Sequence, residues 1–393
     1  MLRRAKRLDN IPPYLFMELR NRINAARARG IDVISLAIGD PVEPTPQPVV
    51  ESLCRAARDP ANHRYPTDEE KGMAALRLEV CRWYGERYGV RADPDRECLI
   101  LIGSKEGCHH FALAMVNPGD LVLVTDPGYP GYRPSIWFAG AEPYAVPILA
   151  ENGFLPDLDS IPDEVARRAS AFYLNYPNNP TGAVATTDFL RRLVEFARRY
   201  EIALCYDNPY IDIVFDGQKP LSILAIEGAK EVAVELNSFS KPFNMTGWRL
   251  GMAVGNPTII AAMAQVKSNT DSGVFNAIQY AGITALRECG ENVARMVRIY
   301  ERRRKIVSDT LNDLGWQCTP PPGTFYLWVP TPRKMTSLEC ATRLFEEAHV
   351  VVAPGSAYGR YGEGYIRLSL TVPDDRLVEA MARIRERWGA IGG

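Results

Sequence analysis

The chain has 393 residues, with 46 Lys plus Arg against 47 Asp plus Glu and a net charge of -1, so no sequence-wide field favours nucleic acid or an anionic membrane surface as a partner. That length exceeds the roughly 250 to 300 residues at which a single core stops growing, and two lobes are expected. The basic start MLRRAKRLDN lacks the apolar stretch of a secretory signal and nowhere do 18 uncharged apolar residues run together, so a cytoplasmic protein with no membrane partner is expected.

In chain order, GDPVEPTPQP at 39–48 reads as an extended link, because each proline keeps the residue before it out of helix. Seven short apolar runs follow, at 97–103, 121–127, 143–148, 171–177, 202–207, 232–237 and 249–255, and read as fully buried strands. Amphipathic stretches separate several of them. In TTDFLRRLVEFARRY, Phe189, Leu190, Leu193, Val194 and Phe196 fall on one face. Strands alternating with helices predict an α/β large domain over 48–285, built on a seven-stranded, mainly parallel sheet. From about 285 the pattern becomes a long charged helix, the strand TFYLWVP, a helix, the strand YIRLSL and a closing amphipathic helix. This predicts a smaller α+β domain of 1–47 plus 286–393. Arg302 to Arg304 are expected on the wet face of its long helix. The eight cysteines form no C-x-x-C pair and are expected as buried free thiols; the four histidines lack zinc-ligand spacing, and no metal site is predicted.

Ligands of open α/β sheets bind beyond the carboxyl ends of the strands, which directs attention to five clusters there. GSKEG (103–107) stands at a strand-to-helix step: Gly103 allows close approach, Ser104 can cap, and the N–H groups of a helix starting near Lys105 suit a phosphate, although taken alone the residues read first as a simple Ser-capped helix. DPGYPGY (126–132) presents Tyr129, whose ring can stack on a planar group or pack on its own turn. NYPNNPTG (175–182) offers the Asn179 amide within a turn-forming context. Asp207 ends a buried strand and requires a cationic or hydrogen-bonded partner. NSFSKPFNMTGWR (237–249) gathers Ser238, Ser240, Lys241 and Arg249, although a lysine in a loop is ordinarily a solvated charge. Together they describe a pocket for a phosphorylated, planar, basic heterocycle. Pyridoxal phosphate has that chemistry.

S-x-S-K with glycine six and arginine eight residues after the lysine, joined to NPTG and D-x-x-Y, resembles the fold-type-I, class I/II aminotransferases over nearly the whole chain. Within that superfamily IGSKEG, VNPGD, LNYPNNPTGAV, NMTGWR and VKSNTDSGVF resemble the LL-diaminopimelate aminotransferases more than the alanine or aspartate enzymes. The resemblance implies pyridoxal 5'-phosphate as cofactor, a homodimer with a shared active site, and exchange of an amino group between an amino acid, LL-diaminopimelate among the candidates, and 2-oxoglutarate. It implies that Lys241 carries the cofactor covalently, Asp207 pairs with the ring nitrogen, Tyr210 and Asn179 bond the phenolic oxygen, and Tyr129 stacks on the ring. Ser238, Arg249 and the turn Gly103, Ser104, Lys105 are implied to hold the phosphate, joined by Tyr65 of the partner subunit. Arg367 is implied to bind the substrate α-carboxylate, with Asn179 and Gly39 also in the substrate-binding set. The far end of the substrate is implied to meet Tyr14, Lys105, Tyr129, Asn269 of the partner subunit, and an acidic residue, Glu69 or Glu70, in the loop after Tyr65.

These residue types suit those roles. A lysine amine can lose its proton and attack an aldehyde, whereas a guanidinium stays charged, with a pKa above roughly 12. A planar arginine fork matches a carboxylate with two parallel hydrogen bonds. The sequence departs from the family pattern in YPTDEEKG, about two residues longer than the usual Tyr-to-Gly spacing, and in Pro242, which stands where a hydroxyl residue is usual. The same apparatus serves transaminases of alanine with glutamate or of a basic amino acid, and β-lyases. A cofactor-sensing regulator fused to a DNA-binding domain is not expected, since nothing before residue 14 has room for a helix-turn-helix.

Overall fold

The computed structural model describes residues 2–11, 15–66 and 70–388. The seven apolar runs form a single sheet: β1 (Cys98–Leu101), β2 (Leu121–Asp126), β3 (Glu142–Pro147), β4 (Ala169–Asn175), β5 (Ala203–Asp207), β6 (Ala233–Ser238) and β7 (Gly251–Gly255), in spatial order β1-β7-β6-β5-β4-β2-β3. Only β7 runs against its neighbours, β1 and β6; the other pairings are parallel. Six carboxyl ends therefore point to one side of the sheet. β1, β2, β6 and β7 are buried throughout. β3 corrects the expectation of full burial: at one edge of the sheet, it has Glu142 exposed and most of its other residues half-buried, whereas β1 at the other edge is buried throughout.

Helices cover both faces, and the period-two alternation of the strands sorts side chains between them. On one face, helix Thr187–Tyr200 buries Phe189, Leu190, Leu193, Val194 and Ala197, with the Thr186 hydroxyl accepting from the Phe189 N–H at its start. These pack in one core with Phe172, Leu204 and Val254. On the other, Cys108, Phe111 and Ala112 of helix Ser104–Met115 share a core with Tyr173, Cys205 and Leu236. Cys54 is exposed, which corrects the expectation for one of the eight thiols; the other seven are buried.

A further core joins helices Gly290–Asp313, Ser337–Ala348 and Asp374–Trp388 to an antiparallel sheet of β8 (Tyr326–Pro330), β9 (Ala353–Pro354) and β10 (Tyr365–Ser369), ordered β9-β10-β8. Ile34 and Leu36 enter this core, and Ile34–Ser35 pairs in parallel with Val350–Val351. The start of the chain thus packs with its end. Arg303 departs from the expected wet helix face: it is buried, with its guanidinium donating to Glu43, to Asp374 at 2.7 Å and to the Leu370 carbonyl at 3.1 Å. A helix of 24 residues lying across a core and the 39–48 link buries the turn that crosses them, and a charge there survives only when paired. Among the described residues, no helix is long and apolar enough to cross a membrane.

Candidate active site

A cavity of about 260 Å³ opens at the carboxyl ends of the large sheet. Ser104 and Lys105 reach it after β1, Asn175 and Asn179 around the end of β4, Asp207 at the end of β5 with Tyr210 beyond it, and Ser238 at the end of β6 with Lys241 beyond it, while Arg249 precedes β7. Tyr129 lines it as well, and Gly39, Tyr326 and Arg367 arrive from the other core. Strand ends that are distant in sequence converge because the parallel strands all deliver their termini to one edge.

Asp207 is buried at the last position of β5. Its Oδ2 accepts from the Tyr132 hydroxyl at 2.8 Å, whereas the equally buried Oδ1 has no hydrogen-bond partner. Burial pushes the carboxyl up to about 7, with the Tyr132 and Ser104 hydroxyls pulling the other way. Such a group is poised to gain an N–H donor or a positive charge. The Asn175 amide fixes its backbone by donating to the Asp207 carbonyl at 2.6 Å, and Asn175 Oδ1 accepts from the Asn179 N–H at 2.6 Å.

Phe239 and Phe243 are both buried in the core, which turns the intervening Lys241 toward the cavity. Its Nζ donates to the Gly39 carbonyl at 2.9 Å. Burial lowers the ammonium to about 8; Asp40 opposes this, and Arg249 and Arg367 add to it. Lys241 is therefore not a solvated loop charge but an amine able to lose its proton near neutral pH.

Next to it lies a cradle for an anion. The helix Ser104–Met115 starts at Gly103 with no side-chain cap, so its first N–H groups face the cavity mouth with the positive end of the helix dipole. Ser104 is the first helical residue and not the cap that the sequence suggested. Gly103 has φ +82, and a Cβ there would run into the Arg249 guanidinium, so glycine lets the arginine close over the turn. The Ser238 hydroxyl stands alongside, accepting from the Ser240 N–H at 3.2 Å.

Arg367 is 1 % exposed, which overturns the alternative of a surface strand arginine. Its Nη1 donates to Asn179 Oδ1 at 2.7 Å and its Nη2 to the Ala37 carbonyl at 2.5 Å. The guanidinium carbon lies 4.0 Å from the Tyr326 ring centre and 4.9 Å from that of Tyr358. Two aromatic faces and two acceptors set its plane. The Tyr210 hydroxyl is 3.2 Å from that of Tyr326. A Cβ at Gly39 would collide with the Tyr326 ring, so the chain crosses there only as glycine.

Some expected site residues are not brought into this cavity. Tyr65 is 75 % exposed and Asn269 is exposed, its amide donating to the Gln265 carbonyl at 2.8 Å; neither lines the cavity of its own chain. Glu70 is exposed. Tyr14 and Glu69 lie outside the described residues. Conversely, Tyr132, Asn175 and Tyr326 were missed. Tyr132 sits three residues beyond Tyr129 in the same turn-rich stretch, and no spacing rule tells which ring meets the carboxylate. Arg20, from helix Leu15–Ala28, also lines the cavity.

Elsewhere, Glu106, His110 and Asp271 hold ligand atoms within 4.8 Å of one another. A buried ammonium already occupies the position between the carboxylates: Lys267 Nζ donates to Glu106 Oε1 and Asp271 Oδ1 at 2.8 Å each.

Comparison with known proteins agrees with this geometry. The model of the family described as aminotransferase class I and II matches residues 31–384. Over 390 residues the chain is 50% identical to an LL-diaminopimelate aminotransferase of Moorella thermoacetica, covering 99% of this chain and 100% of that one. It is 51% identical to the enzyme of that name from Desulforudis audaxviator, over 98% of each chain. Among solved structures, the apo form of BacF from Bacillus subtilis superposes with a TM-score of 0.95 at 37% identity, over 98% of each chain. With its sheet, its half-buried lysine and buried acid, and these full-length relatives, the chain belongs to the class I and II aminotransferases and is a pyridoxal-phosphate-dependent enzyme of fold type I.

Proposed function

We propose that this enzyme moves an amino group from LL-diaminopimelate to 2-oxoglutarate, in a homodimer whose subunits share their active sites, with 48–285 as the large domain and 1–47 plus 286–393 as the small one. The relatives at about half identity over the full length carry the substrate assignment. The observation that carries the chemistry is the pairing in one cavity of a lysine depressed to about 8 with a buried carboxylate whose Oδ1 has no partner.

The residues fit pyridoxal phosphate. Asp207 Oδ1 would accept from a protonated ring nitrogen, Tyr129 would cover the ring, and Tyr210 with Asn179 would bond the phenolic oxygen. The phosphate would rest on the Gly103, Ser104, Lys105 turn, Ser238 and Arg249, joined by Tyr65 of the partner subunit. When bound, the cofactor supplies an aldehyde that condenses with amines and a ring that accepts the electrons released at the substrate Cα. Lys241 Nζ supplies the amine for attachment and then, once freed, takes and returns the Cα proton. Burial keeps this group close to the working pH, where one amine serves as both base and acid. Asp207 keeps the proton on the ring nitrogen; at ~4 Å and an effective dielectric of ~20 the attraction is about 4 kcal/mol before desolvation. Arg367 grips the α-carboxylate with its fixed fork and so orients the Cα–H bond toward Lys241.

The test is a half-reaction screen in which cofactor-loaded protein is mixed with single amino acids and the loss of aldehyde absorbance is followed. LL-diaminopimelate and glutamate should both convert it, and Lys241→Ala should convert with neither. Conversion by glutamate without LL-diaminopimelate would leave an aminotransferase and remove the substrate assignment.

A further inference from the structure

We propose that Arg20, on the helix Leu15–Ala28, is a specificity residue that binds the carboxylate at the far end of the substrate side chain. The inference rests on the amino-transfer reading above and deepens it, because 2-oxoglutarate, glutamate and diaminopimelate all carry such a group.

The charge balance of the cavity points there. Its lining contains five cationic side chains, Arg20, Lys105, Lys241, Arg249 and Arg367, against the single carboxylate of Asp207. Arg249 closes over the helix-start turn and is matched by a phosphate carrying nearly two negative charges, while Lys105, in the same turn, is the ammonium implied both for that phosphate and for the far end of the substrate. Asp207 is matched by a protonated ring nitrogen. Lys241 is already depressed by burial, and its nitrogen is taken up in attachment to the aldehyde. Arg367 takes the α-carboxylate. Of the three arginines in the lining, Arg20 is the one with no group yet to meet, and its planar fork suits the far carboxylate better than the Lys105 ammonium does.

Arg20 is also built differently from the other arginine of the pocket. Arg367 is sunk between Tyr326 and Tyr358 with acceptors on both terminal nitrogens. Arg20 is exposed, and among the described residues it makes no hydrogen bond or ion pair. It stands on a helix close before the segment 37–39, whose carbonyls hold Arg367 and Lys241. A long side chain at the cavity mouth reaches the end of a substrate and not its reacting carbon. A solvated guanidinium loses little by exchanging water for a carboxylate, and the planar fork gives a bidentate match that an ammonium cannot. A monocarboxylic substrate leaves this guanidinium in water and forgoes the pair, so the site discriminates by one charge-assisted contact.

The experiment uses the holoenzyme and two ligands that cannot react, glutarate and pentanoate, which share a five-carbon chain and differ in the second carboxylate. Their affinities are read from the shift of cofactor absorbance in wild type, Arg20→Leu and Arg20→Lys, alongside KM for 2-oxoglutarate. Arg20→Leu should weaken glutarate about tenfold or more and raise the KM by a similar factor, while pentanoate binds as before. Arg20→Lys should recover part of the loss. Equal weakening of both ligands would mark a structural defect and overturn the proposal, as would no change in either. A wild type that uses 2-oxoglutarate while Arg20→Leu matches it would sink this inference alone. A wild type that turns over no dicarboxylic pair would remove the amino-transfer reading on which it stands.

Discussion

Lys241 shows how one position changes meaning once its surroundings are known. In the sequence it is a lysine between a serine and a proline; in the fold two buried phenylalanines aim it inward and the Gly39 carbonyl holds its amine at 2.9 Å. Burial is the main reason its ammonium falls to about 8 from an ordinary 10.5. Only the neutral amine attacks an aldehyde, so the rate at which the apo protein takes up pyridoxal phosphate should climb as pH approaches about 8 and level off above it. Stopped-flow absorbance would show this, and a rate indifferent to pH across that value would contradict it. The linked stability has a definite sign. Between about 8 and 10.5 the unfolded chain holds this proton and the folded one does not, so unfolding free energy rises with pH through that window. Asp207 was equally readable as a carboxylate in need of a partner, but that Tyr132 supplies one hydrogen bond and leaves Oδ1 open depends on a ring contributed by a different turn.

Among the elements, the strands were the most legible. Each of the seven apolar runs became a strand of the large sheet, because a segment buried on both faces is largely apolar and a run of only about four to eight residues between turn signals is the length of a strand and short for a helix. What the runs did not disclose was the antiparallel turn of β7 or the edge position of β3, since neighbours in a sheet are set by connections and not by local composition. β6 carries a second surprise. Glu235 is buried in mid-strand, accepting from the hydroxyl of Tyr84 at 3.0 Å, the hydroxyl of Ser222 at 2.9 Å and the N–H of Ile223 at 3.0 Å. It pins helix Ala74–Tyr88 and the 222–225 turn to the sheet without a cation. Burial drives it up to about 7, so the folded state binds a proton more tightly than the unfolded one, and this group's contribution to stability falls as pH rises from 4.5 through about 7. Glu235→Ala, which strips three donors of their acceptor, should cost about 3 kcal/mol. Thermal melts would register this, and an unchanged melting temperature would show that the donors find other partners.

At the level of the whole molecule, the cavity belongs to neither core alone. Arg367 and Gly39 come from the part built by the two chain ends, Asp207 and Lys241 from the sheet, and buried Arg303 ties the 39–48 link to helices Gly290–Asp313 and Asp374–Trp388 through Glu43 and Asp374. Tyr65 and Asn269, by contrast, stand on the outside of the chain that carries them. The proposed shared site makes this arrangement testable by complementation. Lys241→Ala and Tyr65→Ala homodimers should each be impaired, the first more severely. After mixing through mild unfolding and refolding, each heterodimer should regain one intact site, because the double loss falls on the other. A mixture no more active than its components would mean that each subunit works alone.

Sequence by itself determined which segments would be buried strands and which residue types could bind a phosphorylated aromatic ring, because burial demands apolar runs and phosphate, ring nitrogen and aldehyde each demand a particular donor or charge. It also carried the family, since the motif spacing survives in the chain itself. Only the tertiary structure decided that Arg367 is buried and clamped while Arg20 is exposed, that Tyr132 bonds the acid, and that a carbonyl some 200 residues away in sequence holds the reactive lysine. Contacts of that range depend on how strands and chain ends meet in space, and no local pattern of residues encodes the meeting.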